Sequence, residues 1–497
     1  MKPLALSADI CIYGGTASGV IAAVEARRRG RTVILLNPGK HLGGMTSGGL
    51  SSTDIGNRNA IGGLALEFYK RVGRRYGVAE ELKFEPHVAE RVFDDMIRES
   101  GALVYRDQFL SGITKSGKRI LSVTTEENLT VTAKMFLDTT YEGDLMAKAG
   151  VSFTVGREDN SKYRETINGA QVRDKHQFEH PVDPFIREGD PASGYLPEVD
   201  ETPLPPVGTG DKRVQAYNFR TCLTKDTFLR LPFPRPKGYN RQNYALLERY
   251  IATGWTAVFD KFDTIRNNKV DNNNHGAVST DFIGQNYAWP NATYRVREEI
   301  FQAHLRYQQG LYYFLSHDAS VPSNIRAEME KWGLCRDEFV DTGGWPGQLY
   351  IREARRMISD YTLTENNCRG ILVADDSVGL GAYGIDSHNV RRFVQNGAVR
   401  NEGDVQVGGF PPYPISFRSI IPRRGEIENL VIPVCLSASH IAYGSVRMEP
   451  VFMILGQSAA IAADIAIHDN CNIQNVPYSE LSRELMQRGQ IIKWRMR

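Results

Sequence analysis

The chain has 497 residues, 41% hydrophobic and 24% charged, enough apolar material for a large core and for two interleaved domains rather than one. A net charge of +2 supplies no field for nucleic acid or an anionic membrane. The six cysteines are scattered without a C-x-x-C pair, so they read as reduced core residues, with no disulfide framework and no metal site.

The first element is a strand over residues 8–13, apolar except for Asp9. The apolar stretch there is too short for a secretory signal, so no address is visible and the expected location is the cytoplasm. A glycine-rich turn spans 14–19, an alanine-rich helix runs over 20–29 to Gly30, and a second buried strand covers 32–36. This is a βαβ unit of a parallel doubly wound sheet. Residues 62–100 have helical periodicity. From 102 to 138 the texture is β, with alternating runs at 120–124 and 129–135 and a turn at Lys115-Ser116-Gly117. Prolines, tyrosines and asparagines crowd 155–340, with helical pieces at 246–251 and 327–332 and a turn at Asn272 to His275. Arg352, Glu353, Arg355 and Arg356 form a charged cluster on an expected helix. A strand at 430–435, a loop and a helix from about Pro450 close the chain. Residues 451–467 are the most apolar, but Gln457, Ser458 and Asp464 make them a buried helix rather than a membrane span. The expected architecture is α/β. A Rossmann-like domain with a parallel sheet (1–155 and 429–497) is interrupted by an inserted α+β substrate domain (156–345) and a mixed interface region (346–428).

Four motifs carry chemistry. In Gly14-Gly15-Thr16-Ala17-Ser18-Gly19, Gly14 and Gly19 fit the outer glycines of a dinucleotide fingerprint. They sit between a strand and a helix whose N-terminal amides can meet a pyrophosphate, and Thr16 replaces the central glycine. Asn37 stands where a carboxylate usually meets the adenosine ribose, followed by Pro38 and Gly39. It keeps hydrogen-bonding capacity, and no arginine follows to meet a 2′-phosphate. The glycine pairs of His41-Leu42-Gly43-Gly44-Met45-Thr46-Ser47-Gly48-Gly49 make sense if backbone must lie flat against a planar ligand such as an isoalloxazine. Asp138-Thr139-Thr140-Tyr141-Glu142-Gly143-Asp144 can close over the adenosine end. Near the C-terminus, Arg447-Met448-Glu449-Pro450-Val451 starts a helix with proline in its first turn, and its positive end can face the flavin N1–C2=O2 locus.

Together these stretches resemble the FAD-dependent oxidoreductases of the FAD-oxidored type. The matching segments are GGTASGVIAA, HLGGMTSGGL, DTTYEGDLMAKAGV, QAYNFRTC, GGWPGQLYIREARRM, DSHNVRR and SASHIAYGSVRMEPVFMILGQSAA. The resemblance implies a glutathione-reductase-like fold, an FAD cofactor held through the motif residues and Leu110, and redox chemistry. It implies no particular substrate. Of the ten histidines, His388 and His440 are the candidate bases. His41 is a candidate covalent attachment point, with non-covalent FAD the default. Tyr217, Asn218, Arg220 and Arg352 suit a polyhydroxylated or carboxylated ligand. The expected reaction moves a hydride from a small polar substrate, a sugar or sugar acid, to FAD and on to oxygen or another acceptor. A noncatalytic nucleotide-binding protein would show no substrate bleaching of a flavin. A carbohydrate lyase or hydrolase would turn over without redox change.

Overall fold

The computed structural model describes residues 4–494, so the three outermost residues of the terminal domain segments lie outside it. The first half is built on a mixed sheet. Strand β1 (Leu4–Tyr13) runs into the glycine turn, helix α1 (Ala17–Arg28) and strand β2 (Val33–Leu36). Helices α2 (Gly63–Arg75) and α3 (Pro86–Ser100) follow, then β3 (Leu103–Tyr105), β4 (Leu110–Ser116), β5 (Arg119–Thr125) and β6 (Leu129–Asp138). The order is β3-β2-β1-β6-β5-β4, parallel from β3 to β6 and antiparallel in the β4–β5–β6 meander. The late strand Leu430–Val431 adds in parallel to β6 at Phe136 and Leu137, beyond the part of β6 that pairs with β5. The chain therefore returns after nearly three hundred residues to complete the sheet it began. The fold is α/β with a Rossmann-type parallel core.

Helix α1 is almost wholly buried because two layers cover it: the sheet beneath and the helix Glu449–His468 above. Their closest approach is at small residues. A Cβ on Gly456 would lie 2.2 Å from the Ser18 carbonyl oxygen, so only glycine fits there. Glu449–His468 is the one helix among the described residues long and apolar enough to cross a membrane, and nearly all of it is packed inside the protein.

The middle of the chain has its own apolar cluster and a five-stranded antiparallel sheet. Its strands lie in the order Arg230–Leu231, Gly333–Cys335, Thr221–Thr224, Lys269–Asn272 and Phe262–Thr264. Against this sheet lies a 24-residue helix, Tyr294–His317, started by Thr293, whose hydroxyl accepts from the Val296 amide. The sequence reading did not foresee this helix, because its aromatic and polar residues are spread around the axis.

Several local expectations need correction. Arg352 to Arg355 do not form a helix: they are irregular, and Arg356–Met357 is a short strand paired with Phe153–Thr154. The guanidiniums bond to backbone and carboxylates that only irregular chain brings within reach. The late strand is Leu430–Val431 rather than 430–435, and the helix expected at 327–332 is Ser323–Met329. The loop before Pro450 contains a further buried helix, His440–Val446, capped by Ser439.

Candidate active site

The fingerprint turn is fixed by close contacts that tolerate no side chain. Gly14 has φ +111°, and a Cβ there would sit 2.7 Å from the Thr140 amide nitrogen; one on Gly19 would sit 2.0 Å from the Gly14 carbonyl oxygen. Thr16 replaces the central glycine without filling the approach to the turn. Its hydroxyl points inward, donating to the Thr139 carbonyl (2.7 Å) and accepting from the Gly19 amide (3.4 Å) as the cap of α1. Asn37 binds the turn to the next loop: its Oδ1 accepts from the Gly15 amide (2.9 Å), and its Nδ2 donates to the carbonyls of Gly39 (2.7 Å) and His41 (2.9 Å). Ala17 and Ser18 are buried in the first turn of α1.

The loop 41–49 is held by the protein at most of its glycines. A Cβ on Gly43 would meet the Phe93 ring, one on Gly44 the Tyr141 hydroxyl, one on Gly48 the Gln348 side chain, and one on Gly49 the Arg220 carbonyl. Leu42 and Met45 are buried, and the Ser47 hydroxyl donates to the Leu42 carbonyl (2.5 Å). Glu449 locks three segments together. It accepts from the Thr46 hydroxyl (2.7 Å) and from the Tyr141 hydroxyl (2.7 Å), which in turn accepts from the Met45 amide (2.8 Å). Burial pushes the Glu449 carboxyl up to about 7, against those two hydrogen bonds. Val451 is buried one turn on.

At the end of β6, Asp138 accepts from the Thr140 amide and hydroxyl and the Met146 amide, and burial raises its carboxyl to about 6. Thr139 donates to the carbonyls of Tyr13 and Gly14. Asp144 is paired with Arg297 (2.6 Å) and Arg355 (2.8 Å). Two cavities flank the segment Gly347–Gln348. One, of about 350 Å³, is bounded by Pro38, Gly39, Thr140, Glu142 and Asp144; the other, of about 670 Å³, by Gly39, His41, Gly44, Ser47 and Gly48. They run from the carboxyl ends of β2 and β6 along the glycine loop, where a doubly wound sheet takes its ligand. A tight glycine turn, a cap that keeps its side chain inward, and a groove lined by both motifs fit an extended dinucleotide such as FAD.

A third cavity, of about 570 Å³, lies between the middle unit and the segment 383–408. Its wall includes Lys175, His176, Lys261, His275, Asp386 and His388, with Asn273 and Asn274 of the asparagine run. The Nδ1 of His388 is 2.8 Å from Asp281, and its Nε2 is 3.7 Å from Asp386. Burial would raise the Asp281 carboxyl, but Arg352, 3.0 Å away, and His388 hold it low. His388 and Arg447 likewise hold Asp386 well below the usual carboxylate range against the effect of its burial. Arg447 donates to the Tyr350 hydroxyl (2.7 Å) and the Asp386 carbonyl (2.9 Å), linking this cavity to the start of the helix Glu449–His468.

The remaining predicted residues are engaged inside the protein. His440 is enclosed, with Nδ1 2.6 Å from Glu353 and Nε2 3.1 Å from the Ser387 hydroxyl. Tyr217 donates to the Glu353 carbonyl, Asn218 donates to the Thr280 hydroxyl, and Arg220 makes a two-pronged pair with Asp271 at 2.8 and 2.7 Å. The Leu110 amide donates to the Tyr13 hydroxyl (3.1 Å), and its carbonyl accepts from Tyr294 (3.3 Å). His41 is clasped between Glu90 (2.7 Å) and Asp341 (3.1 Å), which raise it to about 9. Sequence reasoning missed Asp281, His176 and Lys175. Each sits in irregular chain with no periodicity; only the fold brings His176 and Lys175 to the cavity wall and Asp281 behind His388.

The family described as FAD dependent oxidoreductase matches residues 9–485. The chain belongs to that family. No curated protein matches it. Among solved structures it is similar to L-proline dehydrogenase from P. horikoshii (16% identity, 31% of this chain and 59% of that one, TM-score 0.26). It is also similar to THI4 from Thermovibrio ammonificans (20%, 31% and 66%, TM-score 0.24) and to L-amino acid deaminase from Proteus vulgaris (13%, 32% and 54%, TM-score 0.25). The chain thus spans less than two thirds of the length of each.

Proposed function

We propose that the protein oxidises a small polar substrate bearing a hydroxyl group, with His388 as the base that takes the hydroxyl proton. Bound FAD supplies the hydride acceptor, and oxygen or another carrier then takes the electrons. The observation that carries the reading is His388 on the wall of the 570 Å³ cavity with its Nδ1 held by Asp281. That pairing fixes the ring orientation and directs Nε2 as the proton-accepting atom. Arg352 keeps Asp281 ionised, so the imidazolium formed on proton transfer has a fixed negative partner. A sugar acid suits the cavity better than a neutral sugar. Lys175 and Lys261 both line it, and neither has an ion-pair partner among the described residues, while Asp386 is already answered by Arg447.

FAD is bound without a covalent link in this reading. Both ring nitrogens of His41 face carboxylates, and a protonated imidazole has no lone pair with which to attack the flavin. Acid precipitation should leave all the yellow colour in the supernatant; colour in the pellet refutes the non-covalent assignment. The decisive experiment for the reaction is anaerobic addition of sugars, sugar acids and amines to the yellow protein. Bleaching near 450 nm by a hydroxy acid, slowed in His388→Asn, is the expected result. A flavin that none of them reduces would overturn the proposal.

A further inference from the structure

We propose that the adenosine end of the cofactor is held from two units at once, against the aromatic corner that Phe109 beside the nucleotide sheet makes with Tyr294 on the first turn of the long middle helix. The inference rests on the family's FAD and concerns residues that the dinucleotide motifs do not include. The 350 Å³ cavity has one wall from the carboxyl ends of β2 and β6, at Pro38, Gly39 and Thr140. Its opposite wall comes from the middle unit, at Trp289, Tyr294 and Phe301. Phe109 and Tyr294 meet at the cavity with ring centroids 4.8 Å apart and planes at 60°.

The two rings are held differently. The Tyr294 hydroxyl is anchored to the Tyr13 hydroxyl (3.3 Å) and the Leu110 carbonyl (3.3 Å), so its ring is preset. Phe109 is more than one third exposed, so part of its ring is open to a planar ligand while its edge contact with Tyr294 is kept. The same hydrogen bonds occupy the Leu110 backbone, which therefore has little left to offer a purine edge. Aromatic faces take over that task, and every purine presents a π face to them. Behind Tyr294, the Arg297 guanidinium lies 5.7 Å from the tyrosine ring and 5.9 Å from the Trp289 ring and is tied to Asp144 (2.6 Å). The middle helix is thereby pinned to the loop after β6, and a bound adenosine group adds a second link across the same seam.

The test is equilibrium binding of FAD, ADP and FMN to flavin-stripped protein, read by flavin fluorescence and by calorimetry. Tyr294→Ala and Phe109→Ala should each weaken FAD and ADP by about tenfold or more, the scale of losing one aromatic–base stack. FMN, which lacks the adenosine, should bind them as it binds the parent. Tyr294→Phe keeps the ring and should stay close to the parent for all three. Unchanged FAD and ADP affinity in both alanine variants overturns the proposal. So does an equal loss for FMN, which would mean general loosening of the fold. A parent protein that takes up neither FAD nor ADP would instead remove the cofactor assignment itself, and the grip with it.

Discussion

His388 and His440 share one pattern, an imidazole Nδ1 against a buried carboxylate, but only His388 reaches a cavity. Substitution should separate them. His388→Asn is expected to lower the rate of flavin reduction by about 10²- to 10⁴-fold, the usual contribution of a positioned base, with FAD affinity unchanged. His440→Asn should leave the chemistry within a few-fold and lower the unfolding midpoint, because Glu353 and Ser387 lose a partner in the interior. Stopped-flow reduction and thermal melts measure the two effects. Glu449 gives a separate handle. Its carboxyl is raised from 4.5 to about 7 in the folded protein. Between those values the folded protein holds a proton that the unfolded chain has released. Its contribution therefore falls as pH rises from about 4.5 to 7 and is level above. Urea midpoints across pH 4–8 should show Glu449→Gln losing that slope relative to the parent; parallel curves would refute it. Neither histidine's role was legible in sequence, since the choice between them depends on Asp281 and Glu353, far away in the chain.

Elements with local causes were the legible ones. The βαβ unit, the turn Gly14 to Gly19 and the proline start of the helix Glu449–His468 follow from spacing, periodicity and backbone needs that neighbouring residues alone impose. The long helix Tyr294–His317 and the irregular run of arginines at 352–355 were not legible, because their conformation is chosen by partners elsewhere. The glycine loop was legible for the wrong contact at some positions: Gly43 and Gly49 abut Phe93 and Arg220, not open cavity. One joint between elements escaped notice altogether. Lys269, fully buried on the middle sheet, lies 2.7 Å from each of Glu85, Asp337 and Glu338, and Glu338 also binds His87 on α3. Lys269→Met should destabilise the protein by about 3–5 kcal/mol, since it strands Glu85 and Glu338 in the interior without a cation. Denaturant unfolding measures it, and a change below about 1 kcal/mol would show the joint to be dispensable.

For the whole molecule, the candidate cofactor groove carries an ionic clasp at its rim. His41 on the nucleotide side is joined to Asp341, in the segment that continues to Gly347 and Gln348 between the two cavities. Glu90 is the stronger cause of its raised pKa, Asp341 the lesser, and Lys40, Arg91 and Asp94 line the same cavity. In the folded protein the charge on His41 persists through neutral pH, where the free imidazole of ordinary 6.5 has lost it, and goes as pH rises through about 9. FAD dissociation should therefore quicken above about pH 9, and in Asp341→Asn it should already be fast at neutral pH. Recovery of free-flavin fluorescence after dilution follows it; a pH-independent rate in the parent would sink the idea.

The late strand Leu430–Val431 completes the sheet beside Phe136 and Leu137 of β6. During synthesis at about 5–20 residues per second, that edge waits more than ten seconds for its partner. Until then the nascent chain presents an apolar, hydrogen-bond-ready border, the kind that recruits strands from other molecules. The helix Glu449–His468, which covers α1, emerges later still. A ribosome-bound chain stopped short of residue 430 should therefore depend on chaperones, and its sheet can be completed and α1 covered only once residues 430–468 have been made.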